Sequence, residues 1–503
     1  MDDINQGSNP LALVVKLFQA LNAHGVRYCH WKSNASLDRS MQGLGDLDLL
    51  VNRSQNRCFK DILNQLDFKP ALSPPFRQYP AMEDYLGFDR ETGRLIHLHI
   101  HYQLILGEKF VKNYHLPLEQ IFLETDRTYE GIKIPAPELE VVILAVRSLL
   151  KYRNQDFFNS IFTKHTNGLP VHILGEFDYL LEQTSKEHIS SVLETQIDFI
   201  SCDLILEYLS LIEAKSKSGY QLIRLRNRLR RELTPYRRYS RLGVMVEHFR
   251  SSFASRRRFL FKRLSPPKKT MTPGGMTIAL IGADGAGKST ILKELKKWLS
   301  WRLTVRSYYM GSRQHSKPTR MIAWISKMVG YAYRAVCSLI GENNFLSRAL
   351  KGPYLFLRNL YFINIGEDRY ARFASGWKQA SQGALVLYDR YPLESVRING
   401  RFMDGPRIAS LHPGDMGQMT VKMSAVEENV YRKIRLPDHI FVLDVSPEVS
   451  ALRKPDHKQE KLETKIESLD NMEQNGLCVT HINADQPLDQ ALLQIKTALW
   501  DLL

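Results

Sequence analysis

The sequence predicts an α/β protein: an N-terminal α/β domain, a helical middle region, and a C-terminal parallel sheet flanked by helices. Three patterns carry this reading. Up to about Pro135 short apolar runs alternate with helical stretches; from Ala136 the apolar residues recur at helical spacing; from Met276 an apolar strand runs into a glycine-rich loop and an amphipathic helix. At roughly 100–200 residues per domain, 503 residues make about two to four domains.

In chain order, LALVVKLFQALNAHG repeats its apolar residues at helical intervals, whereas YCHW, LDLLV and LIHLHIHY are short and apolar or alternating, as strands are. These define an α/β domain over 1–135. LEVVILAVRSLLKY, FDYLLEQ and ISSVLETQIDFISCDLILEYLSLIEA have helical spacing and few strand signals, so 136–220 reads as helical. A basic helical segment and linker, 221–275, ends in SPPKKTMTPGG, where prolines and glycines break regular structure. The last domain is 276–503, with strands expected at Thr277–Ile281, in GALVLYD and in IFVLDV, and a closing strand and helix in CVTHINADQPLDQALLQIKTALWDLL.

The net charge of +16 is concentrated in one place. Between Gln221 and Thr270 stand 16 Lys/Arg and two acids, Glu232 and Glu247, while the other 453 residues hold 53 basic and 51 acidic side chains. Arginine predominates, which suits bidentate grip on phosphate. The stretch fits an anionic membrane surface, nucleic acid, or an anionic glycan or lipid-linked phosphate, and also a solvated helical linker whose arginines pair with acids elsewhere. No zinc-finger or RNA-recognition pattern supports nucleic acid. Together with the apolar stretch 321–341, which also reads as a hydrophobic lid or core helix, it points to peripheral contact with an anionic membrane through 221–270. No run reaches the roughly 18–20 apolar residues of a membrane span, the N-terminus lacks a signal-peptide pattern, and the five cysteines form no C-x-x-C pair. The expectation is a cytoplasmic protein with reduced thiols, peripheral at the inner membrane face where the basic stretch meets lipid.

The most specific residues are Gly282-Ala283-Asp284-Gly285-Ala286-Gly287-Lys288-Ser289-Thr290, a G-x-x-x-x-G-K-[ST] loop between strand and helix. Glycines let backbone N–H groups close around phosphate oxygens, and the helix N-terminus adds partial positive charge. Lys288 would reach the β/γ-phosphates and the Ser289 hydroxyl would ligate Mg²⁺. The plainer alternative is a glycine-rich turn capping a helix. Further on, GALVLYD ends in Asp389-Arg390-Tyr391, which suits a Walker-B-like acid near the metal and a phosphate-clamping guanidinium.

Over Met276–Leu503 the chain resembles thymidylate kinases and their relatives. GADGAGKST looks like that family's loop, with an acid at Asp284, and LYFINIGEDRYARFASGWKQASQGALVLYDRYPLES resembles its arginine-bearing helix followed by Asp-Arg-Tyr. The resemblance implies ATP and Mg²⁺, a substrate-facing Arg369 or Arg372, and a mobile lid at ALRKPDHKQEK. In relatives with no arginine inside the loop, as here with Gly285 and Ala286, the lid supplies the catalytic cations, which makes Arg453 and Lys454 the candidates. After VRSYYMGSR the chain departs from the family: the Arg-Glu-Pro-Gly-Gly-Thr element that helps hold thymidine monophosphate is absent, and a basic and apolar insertion fills 313–352.

At the N-terminal end, Lys32-Ser33 followed by Asp46-Leu47-Asp48 resembles the nucleotidyltransferase superfamily, whose G-[GS] motif precedes an Asp-x-Asp on a strand. Asp46 and Asp48 share a strand face and could grip a divalent metal, or could lie on a solvated edge. Where that superfamily has a third carboxylate, LIHLHIHYQL offers His97, His99 and His101 on one face: a transition-metal set or a hydrogen-bonded polar face. Lys32 replaces the superfamily's glycine, so the resemblance implies a domain that keeps ligand binding with transfer activity lost.

Chains pairing two such domains resemble proteins encoded with bacterial exopolysaccharide and O-antigen synthesis enzymes. The leading expectation is an ATP- and Mg²⁺-dependent phosphotransferase with Lys288, Asp284, Asp389, Arg390, Arg453 and Lys454 as the catalytic set, acting on an acceptor other than thymidylate, of sugar or glycan type. The rivals are a genuine thymidylate or nucleoside monophosphate kinase, a nucleotide-gated regulatory protein, and nucleotidyl transfer by the N-terminal domain.

Overall fold

A computed structural model describes residues 9–108, 111–154, 169–214, 219–260, 268–393, 397–398, 401–411, 417–453, 464, 466–467, 469 and 478–503, without the side chains of 241, 254–260, 397–398 and 401–402. The chain divides into two compact units, Met1–Lys262 and Arg263–Leu503.

In the first unit, strands β1 (Tyr28–His30), β2 (Asp46–Val51), β3 (Lys69–Leu72), β4 (Met82–Asp89) and β5 (Arg94–His101) run in the order β1-β2-β5-β4-β3. Only the β2–β5 pair is parallel among these neighbours. Helices α1 (Ala12–Ala23) and α2 (Asn56–Gln65) supply Val14, Leu17, Phe18, Leu21, Phe59 and Ile62 to a core with Leu47, Leu49, Val51, Ile96, Leu98 and Ile100. The period of two then sends Asp46, Asp48, His97, His99 and His101 to the opposite face. The register sets Asp46 beside His97 and Asp48 beside His99.

The helical region that follows is built on α3 (Pro137–Lys151), which starts with proline at its first turn and buries most of its length. Around it pack α4 (Val171–Leu181), α5 (Lys186–Thr195), α6 (Cys202–Glu213) and α7 (Gly219–Glu232), joined in one apolar core. The basic stretch therefore begins inside this core. Arg226, 5% exposed, donates from Nη1 to the Tyr152 carbonyl at 2.9 Å, and Arg224, Arg228 and Arg230 pair with Glu207, Glu232 and Glu108. The next helix, α8 (Arg241–Leu260), leaves Leu242, Met245, Val246, Phe249 and Phe253 exposed.

The second unit is a five-stranded parallel sheet of β6 (Met276–Gly282), β7 (Val305–Tyr309), β8 (Leu385–Asp389), β9 (His439–Asp444) and β10 (Val479–Asn483), in the order β7-β8-β6-β9-β10. Its helices are α9 (Lys288–Leu299), α10 (Lys317–Ile340), α11 (Phe345–Ala380), α12 (Gln418–Arg432), α13 (Pro447–Arg453) and α14 (Leu488–Leu502). Ala279, Ile281, Val386, Tyr388, Ile440 and Val442 pack with Phe373 and Ala380 of α11, and the alternate residues Ile278, Leu280 and Leu387 are equally buried. Burial on both faces is why these strands read as continuous apolar runs. The expected architecture, α/β with a parallel sheet flanked by helices, is what is found. The 313–352 insertion forms most of a hairpin of α10 against α11, and α10 leaves Met321, Trp324, Met328 and Tyr331 exposed. Among the described residues no helix is long and apolar enough to cross a membrane.

Candidate functional site

β6 ends at Gly282, and the chain turns through 283–287 into α9, whose first residue is Lys288. Two glycines shape this turn. Gly285 has φ +95°, and a Cβ there would stand 2.9 Å from the Ser450 carbonyl oxygen; Gly287, the helix N-cap, has φ +79°. Both conformations exclude ordinary side chains at low cost, which leaves the main chain as the lining of the loop. Lys288, 7% exposed, curls back over it and donates to the carbonyls of Gly282 at 3.0 Å and Ala283 at 2.6 Å. Ser289 and Thr290 face solvent.

Because β8 lies beside β6 with Asp389 opposite Leu280, the acid at the end of β8 reaches the loop. The Ser289 hydroxyl donates to Asp389 Oδ2 at 3.4 Å. The next residue, Arg390, has φ +66°, an uncommon conformation for a side chain of this size, and this turns its guanidinium toward the loop. Its Nη2 donates to Asp284 Oδ1 at 2.9 Å and its Nη1 lies 3.8 Å from Asp404 Oδ2. Burial alone would lower the guanidinium's proton affinity, but the Asp404 and Asp284 carboxylates raise it, so the charge is fixed.

Asp404 carried no signal in the sequence beyond an Asp-Gly turn. It also accepts from Arg369 Nη2 at 3.1 Å. Arg369, 1% exposed, donates further to the Met310 carbonyl at 2.7 Å, the Tyr431 hydroxyl at 2.6 Å and the Asp404 carbonyl. Arg372 donates to the carbonyls of Tyr309 at 2.7 Å, Gly311 at 3.3 Å and Gln314. Both helix arginines thus brace the chain leaving β7. Ser450 on α13 was also unmarked; its hydroxyl donates to the Asp284 carbonyl at 2.5 Å. Arg453 donates to the Ala484 carbonyl at 2.9 Å, and Lys454 lies outside the described residues.

The first unit holds a second cluster. Asp46 accepts from His97 Nδ1 at 2.8 Å, and His97 Nε2 stands 3.0 Å from Asp84 Oδ1. Asp48 pairs at 2.7 Å with Lys32, with His99 Nδ1 at 3.2 Å and His101 Nε2 at 3.8 Å from the same oxygen. Burial would raise the Asp48 carboxyl, but Lys32, His101 and His99 hold it well below the usual range; burial lowers both imidazoles, His101 most. Burial, with the Lys32 charge, lowers Lys112 to about 7, and burial with the Arg147 charge lowers Lys151 to about 8. These cations come from distant segments, and sequence reasoning missed Lys112, Arg147 and Lys151.

Helix α3 is tied to the loop after Lys32 by Glu140, whose two carboxylate oxygens accept from the Asn34 backbone N–H at 3.0 Å and from Asn34 Nδ2 at 2.8 Å. Burial pushes Glu140 up to about 7 despite those bonds. The folded chain keeps this proton where the unfolded chain, near 4.5, releases it, so stability present below pH 4.5 is lost as pH rises toward 7. Glu140→Gln removes the titration. Denaturant melts are expected to show the variant gaining about 3 kcal/mol on wild type between those two pH values. Parallel pH profiles would mean this proton is not linked to folding.

Fold and loop together define the second unit as a P-loop α/β unit. No protein-family model matches the chain. Two curated proteins of Escherichia coli strain K12 are similar: the uncharacterized ATP-binding protein YghR, 26% identical over 236 residues, 46% of this chain and 89% of that protein, and the uncharacterized ATP-binding protein YghS, 25% identical over 221 residues, 43% and 88%. A solved structure of deoxyadenosine kinase from M. mycoides with bound dATP is matched at 17% identity over 44% of this chain and 99% of that one, with a TM-score of 0.28.

Proposed function

We propose that the second unit is an ATP-dependent phosphotransferase, passing the γ-phosphoryl group of ATP to an acceptor other than thymidylate, of sugar or glycan class. One observation carries the reading: a main-chain cradle at 282–289 kept open by Gly285 and Gly287, with Lys288, Ser289, Asp389 and Arg390 brought to its rim. The description of YghR and YghS as ATP-binding proteins supports the nucleotide.

On ATP binding Lys288 exchanges the carbonyls of Gly282 and Ala283 for phosphate oxygens, and the loop amides hold the rest of the tail. Ser289 and Asp389 offer hard oxygen donors of the kind Mg²⁺ takes and would hold that ion, which supplies charge neutralisation on the phosphates. Arg390, fixed by Asp284 and Asp404, stabilises charge spreading over the transferred group, and Asp284 orients the acceptor. Arg453 and Lys454 remain the lid cations of this proposal. The braced exit of β7 into the α10–α11 hairpin, where thymidylate kinases carry their acceptor element, supports a different acceptor.

The test is an acceptor screen with γ-labelled ATP, using Lys288→Ala as blank. Label transferred to a sugar or glycan is the expected result. Label on thymidine monophosphate alone would replace this acceptor by the nucleotide one, and ATP binding with no ADP release on any acceptor would replace the enzyme by a nucleotide-gated regulator.

A further inference from the structure

We propose that the first unit binds a phosphate-bearing ligand through Lys32, Lys112, Arg147 and Lys151 beside His101, without a metal ion and independently of the P-loop. The four cations meet through shared neighbours. Lys32 Nζ stands 4.9 Å and Arg147 Cζ 5.6 Å from the centre of the Trp31 ring, which packs edge-on against His101 at 5.0 Å. Lys151 follows Arg147 by one turn of α3. Lys112 Nζ lies 3.5 Å from Met82 Sδ and 4.4 Å from the Tyr79 ring centre, and Met82 stands opposite His101 in the β4–β5 register.

Donors and cations here outnumber acceptors: the buried carboxylate oxygens left without a hydrogen bond are Asp48 Oδ1, which Lys32 already faces, and Glu176 Oε1. Lys32 already neutralises Asp48, and both Glu140 oxygens are taken by Asn34. Glu176 is the other buried carboxylate of the region. Among the described residues no carboxylate oxygen comes within ion-pair distance of Lys112, Arg147 or Lys151. Arg147 Nη1, Trp31 Nε1 and His101 Nδ1 are shielded from solvent with no hydrogen-bond partner, and His101 Nε2 has only the Asp48 carboxylate at 3.8 Å. Trp31 and His101 are buried, Lys32, Lys112 and Arg147 half-buried and Lys151 exposed. Buried donors without acceptors are costly and gathered cations repel one another, and one group answers both, an anion with several oxygens. Phosphate is that group, and guanidinium with lysines is its usual grip.

A metal is the competing occupant. Single ligand atoms of Asp48, His99 and His101 lie within 4.8 Å of one another, a spacing a transition metal accepts. A divalent cation would, however, have to displace Lys32 and join three further cations, so the surrounding charge selects the anion.

The experiment is calorimetry on the full chain in the Lys288→Ala background with EDTA present, titrating pyrophosphate, a nucleoside triphosphate and a hexose 1-phosphate in separate arms. Saturable binding in at least one arm is expected, weakened at least about tenfold by Arg147→Gln and by Lys112→Met, the strongest arm naming the ligand class. Because Lys112→Met removes a half-buried ammonium whose proton affinity burial lowers to about 7, it is also expected to raise the melting temperature of the ligand-free chain below that pH, which a merely structural lysine would not do. Silence in every arm, or binding that appears only when a divalent ion replaces the EDTA and is lost in His99→Ala, would overturn the proposal. Since the P-loop lysine is absent throughout, neither result bears on the kinase reading.

Discussion

Lys288→Ala is expected to lower ATP-dependent turnover by about 10²–10³-fold or more, the scale seen when one donor to a developing negative charge is removed. The ammonium is the cationic side chain of the loop, 7% exposed, and in the free protein two carbonyls of that loop hold it. Phosphoryl transfer needs chiefly alignment and charge stabilisation, so losing this cation leaves the substrate misplaced and the transferred charge uncompensated. The same change leaves the carbonyls of Gly282 and Ala283 without that donor, at a cost of about 1–3 kcal/mol, which is too little to unfold a unit of this size. Steady-state turnover beside a melting curve separates the two effects. Wild-type turnover in a folded variant would remove the donor-site assignment.

The second large effect falls on stability. Asp404→Ala should cost about 3–5 kcal/mol, roughly 10 °C in the melting of the second unit, because it strips the carboxylate from a guanidinium that is 1% exposed. The Met310 and Asp404 carbonyls and the Tyr431 hydroxyl remain as acceptors for Arg369 but carry no charge to offset it. Backbone geometry adds to the penalty, since Asp404 sits at φ +58°, which Asp and Asn tolerate better than Ala. Asp404→Asn should therefore cost clearly less. Denaturant unfolding of both variants checks this, and an Ala variant within about 1 kcal/mol of wild type would show that neutral acceptors suffice for Arg369.

What could be read from the sequence was local. The phosphate cradle is fixed by glycine and lysine spacing within nine consecutive residues, and the common face of Asp46 and Asp48 by a period of two. Asp404 was invisible because its partners, Arg369 and Arg390, stand 35 and 14 residues away and meet it only when α11 and β8 have packed. The same holds for Arg147 and Lys112, which join Lys32 only after α3 closes on the sheet. The basic stretch shows the converse: its charge count was plain, yet Arg224, Arg226, Arg228 and Arg230 are engaged within the helical region, and no composition could separate them from the arginines of α8.

Ser450, midway along the short helix α13, presses its hydroxyl onto the Asp284 carbonyl where Gly285 offers no methyl to fend it off, and three residues later, at the helix's C-terminal end, Arg453 grips Ala484. A seven-residue helix is too stiff to bend in between. It ties the turn at Asp284 to the strand end at Ala484, so that loosening either anchor is felt at the other.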